Sequence, residues 1–423
     1  MNQTFPNAAL IVRRRSVATW IAVAVIAGAC CPAASHEPPA RPLILAHYMP
    51  WYAAKPYGGA WGWHWTMNTF DPDTQVDGKP HIASHYRPII GPYDSGDPVV
   101  LEYHLLLMKV AGIDGVIVDW FGLTDHFDYA ALHRNAAAIV QAAARLGLQF
   151  AVCYEDRTIP TLEAAGRLSP DGRVPHARRE IDWLRKTWFT ESHYVRLGER
   201  PLFLSFGTDG LTDEEWARAL QGLAAELVYV SEHRKRPVAS GAFDWPIPRE
   251  YPASLDRFAT EAARSNPAIP VAFPRFHDIY AEGRAGATLG RIPDDDGRTW
   301  TSTLTRALEG RPAVVQLATW NDWGEGTGIE PTEEFGYRDL EAVQQLRRDQ
   351  VDAAFPCSAS DLRLPLRLVL ERRRAGSAER TSVLDRVALL ISQQRCEAAG
   401  TLLDGLSGPE AVSYTHLTLP TKA

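Results

Sequence analysis

Short apolar runs alternate with helical patterns through most of this chain, and that alternation constrains its fold more than any other feature. The runs fall at residues 43–49, 115–119, 149–154, 201–206, 227–230, 238–243, 269–273 and 313–320. Apolar runs separated by helices are typical of parallel strands, and about eight of them can close into a barrel. The sequence therefore predicts an α/β fold, a (β/α)8 TIM-type barrel over residues 42–350, in which 227–230 and 238–243 are the weakest strands.

The helix before the second run shows the pattern at its clearest. Asp97 is a good N-cap and Pro98 a good first helical residue. Apolar side chains then recur at helical spacing, at Val99, Tyr103, Leu106, Leu107 and Val110. Gly112 ends the pattern directly before the next strand, and this passage from helix to strand favours a parallel sheet.

Composition excludes several classes of protein. Hydrophobic residues make up 45% and charged residues 22% of the 423 residues, which is typical of a soluble globular protein. The net charge of −7 gives no reason to expect nucleic acid or an anionic membrane surface as a partner. No Cys-x-x-Cys or His-Glu-x-x-His spacing indicates a metal. We therefore expect a protein without metal or cofactor, and we expect a monomer.

The N-terminus has the pattern of an export signal. Three arginines at 13–15 precede an apolar stretch at 17–29, which is too short to span a bilayer. Cleavage before Cys30, as in a lipoprotein, and cleavage before His36 both fit this pattern. We therefore predict a signal over residues 1–35 and an exported protein that is periplasmic, extracellular or lipid-anchored at the cell surface. In this prediction the protein contacts the membrane only if Cys30 carries a lipid. The alternative is that the apolar stretch is not cleaved and remains as an anchor.

The composition changes towards the C-terminus. Residues 351–411 carry helical patterns without strands between them, which predicts a small helical extension or a truncated second domain. Residues 412–423 resemble a translated adapter sequence, and we exclude this non-native tail from the fold.

Cys153 falls in a predicted strand as a small buried hydrophobe. Cys357 and Cys396 are candidates for a disulfide in an oxidising compartment.

The end of the last predicted strand carries the main functional signal. Asp322 and Glu325 follow it three residues apart, so a coiled backbone would present both acids on one face. Trp320 and Trp323 flank them. Cleavage of a sugar bond needs a proton donor, a base or nucleophile, and flat apolar surfaces for pyranose rings. We therefore predict a catalytic pair beside indole platforms, and the alternative is a helix N-terminus enriched in acids.

Acids and rings also recur at the ends of other predicted strands, where barrel enzymes place their active sites. Glu155 is the alternative member of the catalytic pair, because the third and last strands could face each other across the barrel mouth. The predicted sugar-binding residues are Tyr48, Trp51, Tyr52, Trp63, His64, Tyr93, Asp119, Trp120, Tyr154, His277, Trp320, Asn321 and Trp323. The alternative for each is structural, because aromatic residues often fill cores and strand-end acids often cap helices.

Four segments of the chain resemble glycoside hydrolase family 99, the endo-α-mannosidases and endo-α-mannanases, and the neighbouring family 71. They are 47–52 (HYMPWY), 91–98 (GPYDSGDP), 111–115 (AGIDG) and 319–327 (TWNDWGEGT). The resemblance covers residues 42–348, which is the predicted barrel without the extension. It implies a (β/α)8 barrel, no metal, and retaining cleavage inside glycans that contain α-mannosides. An oligo- or polysaccharide is therefore the expected partner.

The resemblance also implies roles for the two acids. Glu325 matches the acid that protonates the leaving oxygen, and Asp322 matches the base that deprotonates the sugar's own 2-hydroxyl to give a 1,2-anhydro intermediate. The chain departs from the family's Glu-Trp-His-Glu pattern, with Asp322 in place of a glutamate and Gly324 in place of a histidine. A shift of about 1 Å at a reacting group can cost about a hundredfold in rate. Open alternatives are Glu155 as base, a compensating backbone, a different sugar and a non-catalytic glycan-binding barrel.

Overall fold

The computed structural model describes residues 41–374 and 376–406. The predicted signal at 1–35, with Cys30, and the tail at 412–423 lie outside the described residues. Within the described part of the chain, no helix combines the length and the apolar character needed to cross a membrane.

Parallel strands form the barrel that the sequence predicts. Along the chain they are Leu43–Tyr48, Gly115–Trp120, Gln149–Glu155, Arg200–Phe206, Val228–Glu232, Gly241–Phe243, the pair Ala268–Ile269 and Val271–Ala272, and Val314–Leu317. Neighbours in chain order pair side by side, and the first strand also pairs with the last. The predicted strands are therefore confirmed, including the two weakest.

The ring closes through the seventh strand position, which Pro270 divides into two short strands. Ala268–Ile269 pairs with the sixth strand, and Val271–Ala272 pairs with the eighth. Proline has no amide hydrogen to give to a strand ladder, so continuous pairing stops there. The Pro270 carbonyl still accepts a hydrogen bond from Gln316 N at 3.0 Å, which joins this position to the eighth strand.

Helices cover the outside of the barrel. The longer ones are Pro98–Ala111, Tyr129–Leu146, Arg173–Lys186, Ala253–Ala262, Arg298–Leu308 and Arg338–Gln350, and the shorter ones are Thr158–Ala164 and Asp213–Ala219. Two further short helices, Lys55–Gly58 and Trp63–Thr66, lie in the loop after the first strand. Short antiparallel strands in the loops are Gln75–Val76 with Lys79–Pro80, Phe276–His277 with Arg291–Ile292, and Arg196–Leu197 on the fourth strand. Asp97 caps its helix by accepting from Val99 N at 2.9 Å, and Gly112 ends it with a φ of 84°, both as predicted.

Residues on the barrel strands alternate between the barrel interior and the surrounding helices. His47 points inward, where its ring lies 6.3 Å from that of Phe206 and 4.8 Å from that of Trp245. Tyr48 points outward, where its hydroxyl lies 3.0 Å from Nδ1 of His104. A ring on the inner side of a strand therefore faces the interior and mouth of the barrel, whereas a ring on the outer side packs against the surrounding helices.

The C-terminal extension consists of the helices Leu364–Arg373, Ala378–Ser392 and Cys396–Leu406. Their apolar side chains join the same core that fills the space between the strands and the outer helices. Arg372 also pairs with Glu102 on the barrel, with nitrogen–oxygen distances of 2.5 and 3.0 Å. The extension therefore shares the barrel's core.

Candidate active site

The two predicted catalytic acids lie on a closed turn at the C-terminal end of the eighth strand. The main-chain nitrogen of Glu325 donates a 2.9 Å hydrogen bond to Oδ1 of Asp322, and Thr327 N donates to the Asp322 carbonyl at 3.2 Å. Oγ1 of Thr319 accepts from Asp322 N at 2.7 Å. The next α-helix begins only at Arg338. The alternative that the acids belong to a helix N-terminus is therefore wrong.

Asn321 ties this turn to the end of the first strand. Its amide nitrogen donates to the Met49 carbonyl at 3.0 Å and to the Tyr93 hydroxyl at 3.2 Å, and its Oδ1 accepts from Met49 N at 2.8 Å. Tyr93 also accepts from Trp323 Nε1 at 3.1 Å and donates to Glu330 at 2.7 Å. Asn321, Tyr93 and Trp323 are buried, with their polar side-chain atoms bonded to protein. Their predicted contact with sugar is corrected to a supporting role beneath the turn.

Backbone contacts from the segment that contains His277 hold the other side of the turn. His277 N donates to the Glu325 carbonyl, and Ile279 N donates to the Gly324 carbonyl, both at 2.9 Å. The half-buried ring of His277 stacks on that of His85, with centroids 3.7 Å apart. His277 therefore lies next to the acids, as the sequence predicts for a residue of the site, and its contact with sugar stays a prediction.

Gly324 stands where the resembled family has a histidine, and neighbouring side chains take up that space. A Cβ atom at 324 would lie 3.2 Å from Cε of Met67 and 3.7 Å from the ring of Tyr280. Burial raises the pKa of Tyr280 well above its usual range, and the nearby charges of Glu325 and Asp322 raise it further. Tyr280 is therefore part of the wall beside both acids, which sequence reasoning missed.

The pKa values of both acids are raised. Burial raises the pKa of Asp322 to about 6, although hydrogen bonds from the backbone of Glu325 and Gly324 oppose this shift. Burial also raises the pKa of Glu325 well above its usual range, and the charge of Asp322 raises it further. Glu325 as a whole is only partly buried, but its Oε2 is enclosed and has no hydrogen-bond partner. At neutral pH Asp322 is therefore mainly ionised, as a base requires, and the raised pKa of Glu325 favours the protonated form that a proton donor requires.

Further carboxyl groups surround the pair. The acid cluster, as we define it, comprises Asp119, Glu155, Glu232, Asp322 and Glu325, which interact electrostatically with one another or with Arg157. Arg157 holds Glu155 through two hydrogen bonds of 3.1 and 3.2 Å. Its charge also opposes the rise in the pKa of Glu325. Glu155 thus lies in the predicted site, but as the partner of an arginine rather than as a free carboxylate.

Asp119 ends the second strand inside the acid cluster. It is only 2% exposed, and its enclosed Oδ1 has no hydrogen-bond partner. Burial, followed by the charge of Glu155, raises its pKa well above its usual range. A buried carboxyl group with an unpaired oxygen has unused bonding capacity, which fits the predicted role of contacting a sugar hydroxyl.

A group of partly exposed rings, which we call the ring wall, consists of Trp51, Trp63, His64 and Phe121. Trp51 stacks on His64 with centroids 4.3 Å apart and an angle of 7° between the planes. Trp63 meets His64 edge-on at 5.0 Å, and Phe121 meets Trp51 edge-on at 6.3 Å. Burial lowers the pKa of His64 to about 3, so its ring is neutral at physiological pH. Neutral, half-covered rings of this kind can stack on sugar rings.

Other predicted ring residues lie on the helix-facing side of their strands. They are Tyr48, Trp120, Tyr154 and Trp320, each at most 1% exposed and each part of the core between strands and helices. Trp120, for example, donates from Nε1 to Nδ1 of His133 at 3.1 Å. Tyr52 is also buried, and its hydroxyl accepts from Trp323 N at 2.9 Å. For these residues the predicted contact with sugar is corrected to packing and support.

Sequence reasoning missed Arg157, Glu232 and Phe121. Glu232 ends the fifth strand, but the predicted run at 227–230 stopped two residues short of it. Phe121 follows the second strand and Arg157 follows the third. Phe121 and Arg157 could have been found from their position just beyond the end of a strand, because barrel enzymes carry their functional side chains there.

The site combines two carboxyl groups on one turn, further acids and the ring wall. Among residues 41–374 and 376–406, no three His, Cys, Asp or Glu side chains are arranged to hold a metal ion. A parallel (β/α)8 barrel with a pair of acids at the C-terminal ends of its strands has the architecture of a glycoside hydrolase.

Comparisons with known proteins point to the same class. No protein-family model matches the chain. The chain is 24% identical over 284 residues to a glycoprotein endo-α-1,2-mannosidase-like protein of Danio rerio, which covers 59% of this chain and 60% of the relative. It is 21% identical over 334 residues to the glycoprotein endo-α-1,2-mannosidase of Mus musculus, which covers 69% of this chain and 68% of the relative.

Among solved structures, the chain is similar to the family 99 endo-α-mannosidase from Bacteroides thetaiotaomicron. The TM-score is 0.55 at 18% identity, over 76% of this chain and 98% of the other. At this identity the likeness shows the fold alone. The predicted resemblance to glycoside hydrolase family 99 is confirmed as a similarity of sequence to endo-α-1,2-mannosidases and their like, and of fold to a family 99 endo-α-mannosidase. It spans 60% of the length of the Danio rerio relative.

Proposed function

We propose that this chain is a retaining glycoside hydrolase that cleaves internal linkages of a glycan containing α-mannosides. The observation that carries the proposal is the closed turn at the C-terminal end of the eighth strand, on which Asp322 and Glu325 lie together and Glu325 N donates to Oδ1 of Asp322 at 2.9 Å. One ionised and one protonated carboxyl group are what acid–base cleavage of a glycosidic bond requires. The names of the relatives supply the sugar, because they are endo-α-mannosidases or proteins like them.

In the proposed reaction, Glu325 protonates the glycosidic oxygen as that oxygen leaves. Asp322 takes the proton of the sugar's 2-hydroxyl, and the freed oxygen attacks the anomeric carbon to give the 1,2-anhydro sugar. Water then opens this ring, giving one proton to Glu325, while Asp322 returns its proton to the 2-oxygen. Both acids end in their starting states, and two displacements at one carbon retain its configuration.

The acid cluster narrows the substrate class. An anionic sugar such as a uronate would bring its charge next to several buried carboxyl groups, which is costly at low dielectric. Arg157 does not offset this cost, because it is already engaged with Glu155. We therefore infer a neutral glycan, stacked on the ring wall and bonded through its hydroxyls to acids such as Asp119.

The proposal includes export, which rests on the sequence pattern over residues 1–35. An extracellular or periplasmic location would bring the protein to polysaccharides. Fractionation of cells that express the full chain tests this separately from catalysis. Recovery of the protein only inside the cytoplasm, with residues 1–35 still attached, would reject export and leave the proposed chemistry untouched.

The test of catalysis is the release of reducing ends from α-mannan by the purified chain. Internal cleavage predicts oligosaccharides of several lengths at early times. Glu325→Gln should abolish release while oligosaccharide binding by calorimetry persists. Glu309→Gln is the matched control, because the exposed Glu309 precedes the eighth strand at the opposite end of the barrel. Binding without release by the wild type on a panel of neutral glycans would favour the alternative of a non-catalytic glycan-binding barrel.

A further inference from the structure

Two cysteines lie close together far from the acid cluster. The sulfur atoms of Cys357 and Cys396 are 3.8 Å apart, although 39 residues separate them in sequence. Cys357 follows the helix Arg338–Gln350, and Cys396 is the first residue of the last helix. Both side chains are buried in the core that the extension shares with the barrel.

Hydrogen bonds from neighbouring helices fix the backbone on the Cys357 side. Arg348 Nη1 donates to the Cys357 carbonyl at 2.8 Å. Gln344 Nε2 donates to the Ser358 carbonyl at 3.0 Å and to the Val110 carbonyl at 2.8 Å. The segment at residues 357–358 is therefore bonded to the helix Arg338–Gln350, and Gln344 links it to the helix Pro98–Ala111 as well.

The Cys396 side is attached to the same region. The neighbouring Gln394 donates from Nε2 to the Lys109 carbonyl at 3.0 Å. The two sulfurs are thus brought together by folded structure on both sides, rather than by the chance position of a loose segment. A disulfide needs a sulfur–sulfur distance of about 2.05 Å, and side-chain rotation can supply an approach of this size.

We propose that Cys357 and Cys396 are a site of oxidation, at which a disulfide links the C-terminal extension to the barrel. This inference does not depend on the proposed catalysis, but it rests on the export that the proposed function includes. The co-reactant is a small disulfide or a disulfide-exchange protein, such as an oxidising compartment contains. The sequence left this pairing open, and the 3.8 Å separation of the two sulfurs supports it.

The exchange proceeds in two balanced steps. The Cys357 thiolate attacks the disulfide donor, which forms a mixed disulfide and releases one donor thiolate. The Cys396 thiolate then attacks the sulfur of Cys357, forming the protein disulfide and releasing the second donor thiolate. Two electrons pass to the donor. A hydrogen bond from Cys396, with Arg348 and Lys109 nearby, lowers the pKa of Cys357, so it is suited to attack first.

The experiment uses the full chain treated with oxidised glutathione, both folded and during refolding from denaturant. Free thiols are then blocked under denaturing conditions, and the protein is digested and mapped by mass spectrometry. We expect a peptide pair linked through Cys357 and Cys396 that disappears on reduction. Reduction should also lower the melting temperature on the order of 5 °C, because the link restrains the unfolded chain.

Two variants separate this site from other thiols. Cys357→Ala should lose the difference in melting temperature between oxidised and reduced protein. Cys153→Ala should keep it, because Cys153 lies buried in the third strand, away from the extension. Both sulfurs remaining free after both treatments would overturn the proposal, as would a link from either cysteine to Cys30 or Cys31 instead.

Discussion

The main-chain nitrogen of Glu325 donates a 2.9 Å hydrogen bond to Oδ1 of Asp322, so each of the two acids depends on the position of the other. The aspartate is short enough to close its own turn. A glutamate at 322 would carry its carboxyl group about one carbon–carbon bond further out. The departure from the resembled family is therefore a structural element of this turn as well as a candidate base.

Asp322 is predicted to have separable structural and chemical roles. An asparagine at position 322 keeps an oxygen that can accept the hydrogen bond from Glu325 N, but its amide group cannot act as a base. Asp322→Asn should therefore lower kcat by about a thousandfold or more, the upper range for loss of general acid–base catalysis, with little change in melting temperature. Asp322→Ala should lose both activity and stability. Equal activity of Asp322→Asn and wild type would remove Asp322 from the mechanism.

The pH dependence of kcat/KM follows from the two pKa shifts. Asp322 must be ionised, and its pKa is raised to about 6, so activity should increase as the pH rises through about 6. Glu325 must be protonated, and its pKa is raised well above its usual range, so activity should fall at a higher pH than it would with an ordinary glutamic acid. A profile measured on one neutral oligosaccharide checks both limbs. Maximal activity below pH 5 would contradict the assignment.

Arg157 is predicted to set the charge state of the acid cluster. Its charge opposes the raised pKa values of Asp119, Glu155 and Glu325. Arg157→Gln should therefore move the alkaline limb of the pH profile of kcat/KM, which Glu325 sets, to higher pH and lower the maximal kcat/KM by at least about tenfold.

Arg157→Lys is the matched variant for that experiment. It keeps the positive charge but lacks the planar fork that makes two bonds to Glu155. We expect its pH profile to lie closer to that of the wild type than the profile of Arg157→Gln. Identical profiles for all three proteins would show that Arg157 does not tune these acids.

Asn321 is predicted to support the turn rather than to contact sugar. Asn321→Ala removes hydrogen bonds to Met49 N, to the Met49 carbonyl and to the Tyr93 hydroxyl, all of them buried. Loss of buried partners should lower the free energy of unfolding by roughly 2–4 kcal/mol, measured by urea denaturation. Unchanged stability with weakened oligosaccharide binding would instead support the original expectation of sugar contact.

The barrel could be predicted from the sequence because its signal is local. Each apolar run, such as 115–119 or 149–154, reports one buried strand, and their order along the chain implies the parallel sheet. The turn with Asp322 and Glu325 was predictable for a related reason, since it directly follows the strongest run. Pro270 inside the run 269–273 signals an interrupted strand, but the sequence does not show which neighbour each half pairs with.

The roles of individual rings could not be predicted in the same way. Parallel barrel strands are buried on both sides, so the sequence shows no alternation that separates inward from outward positions. His47 and Tyr48 are adjacent and both aromatic, yet one points into the barrel and the other towards His104. Trp320 and Trp323 similarly read as exposed platforms, but both are fully buried.

Two substrates compared in two variants separate the roles of the two acids. An α-mannosyl fluoride releases fluoride without needing a proton donor, whereas a glycan linkage needs one. We expect Glu325→Gln to lose cleavage of the glycan but to keep measurable hydrolysis of the fluoride, and we expect Asp322→Asn to lose both. Two results would contradict the assignment of Glu325 as the proton donor. One is full cleavage of the glycan by Glu325→Gln, and the other is a loss of activity in Glu325→Gln that is equally large on the fluoride and on the glycan.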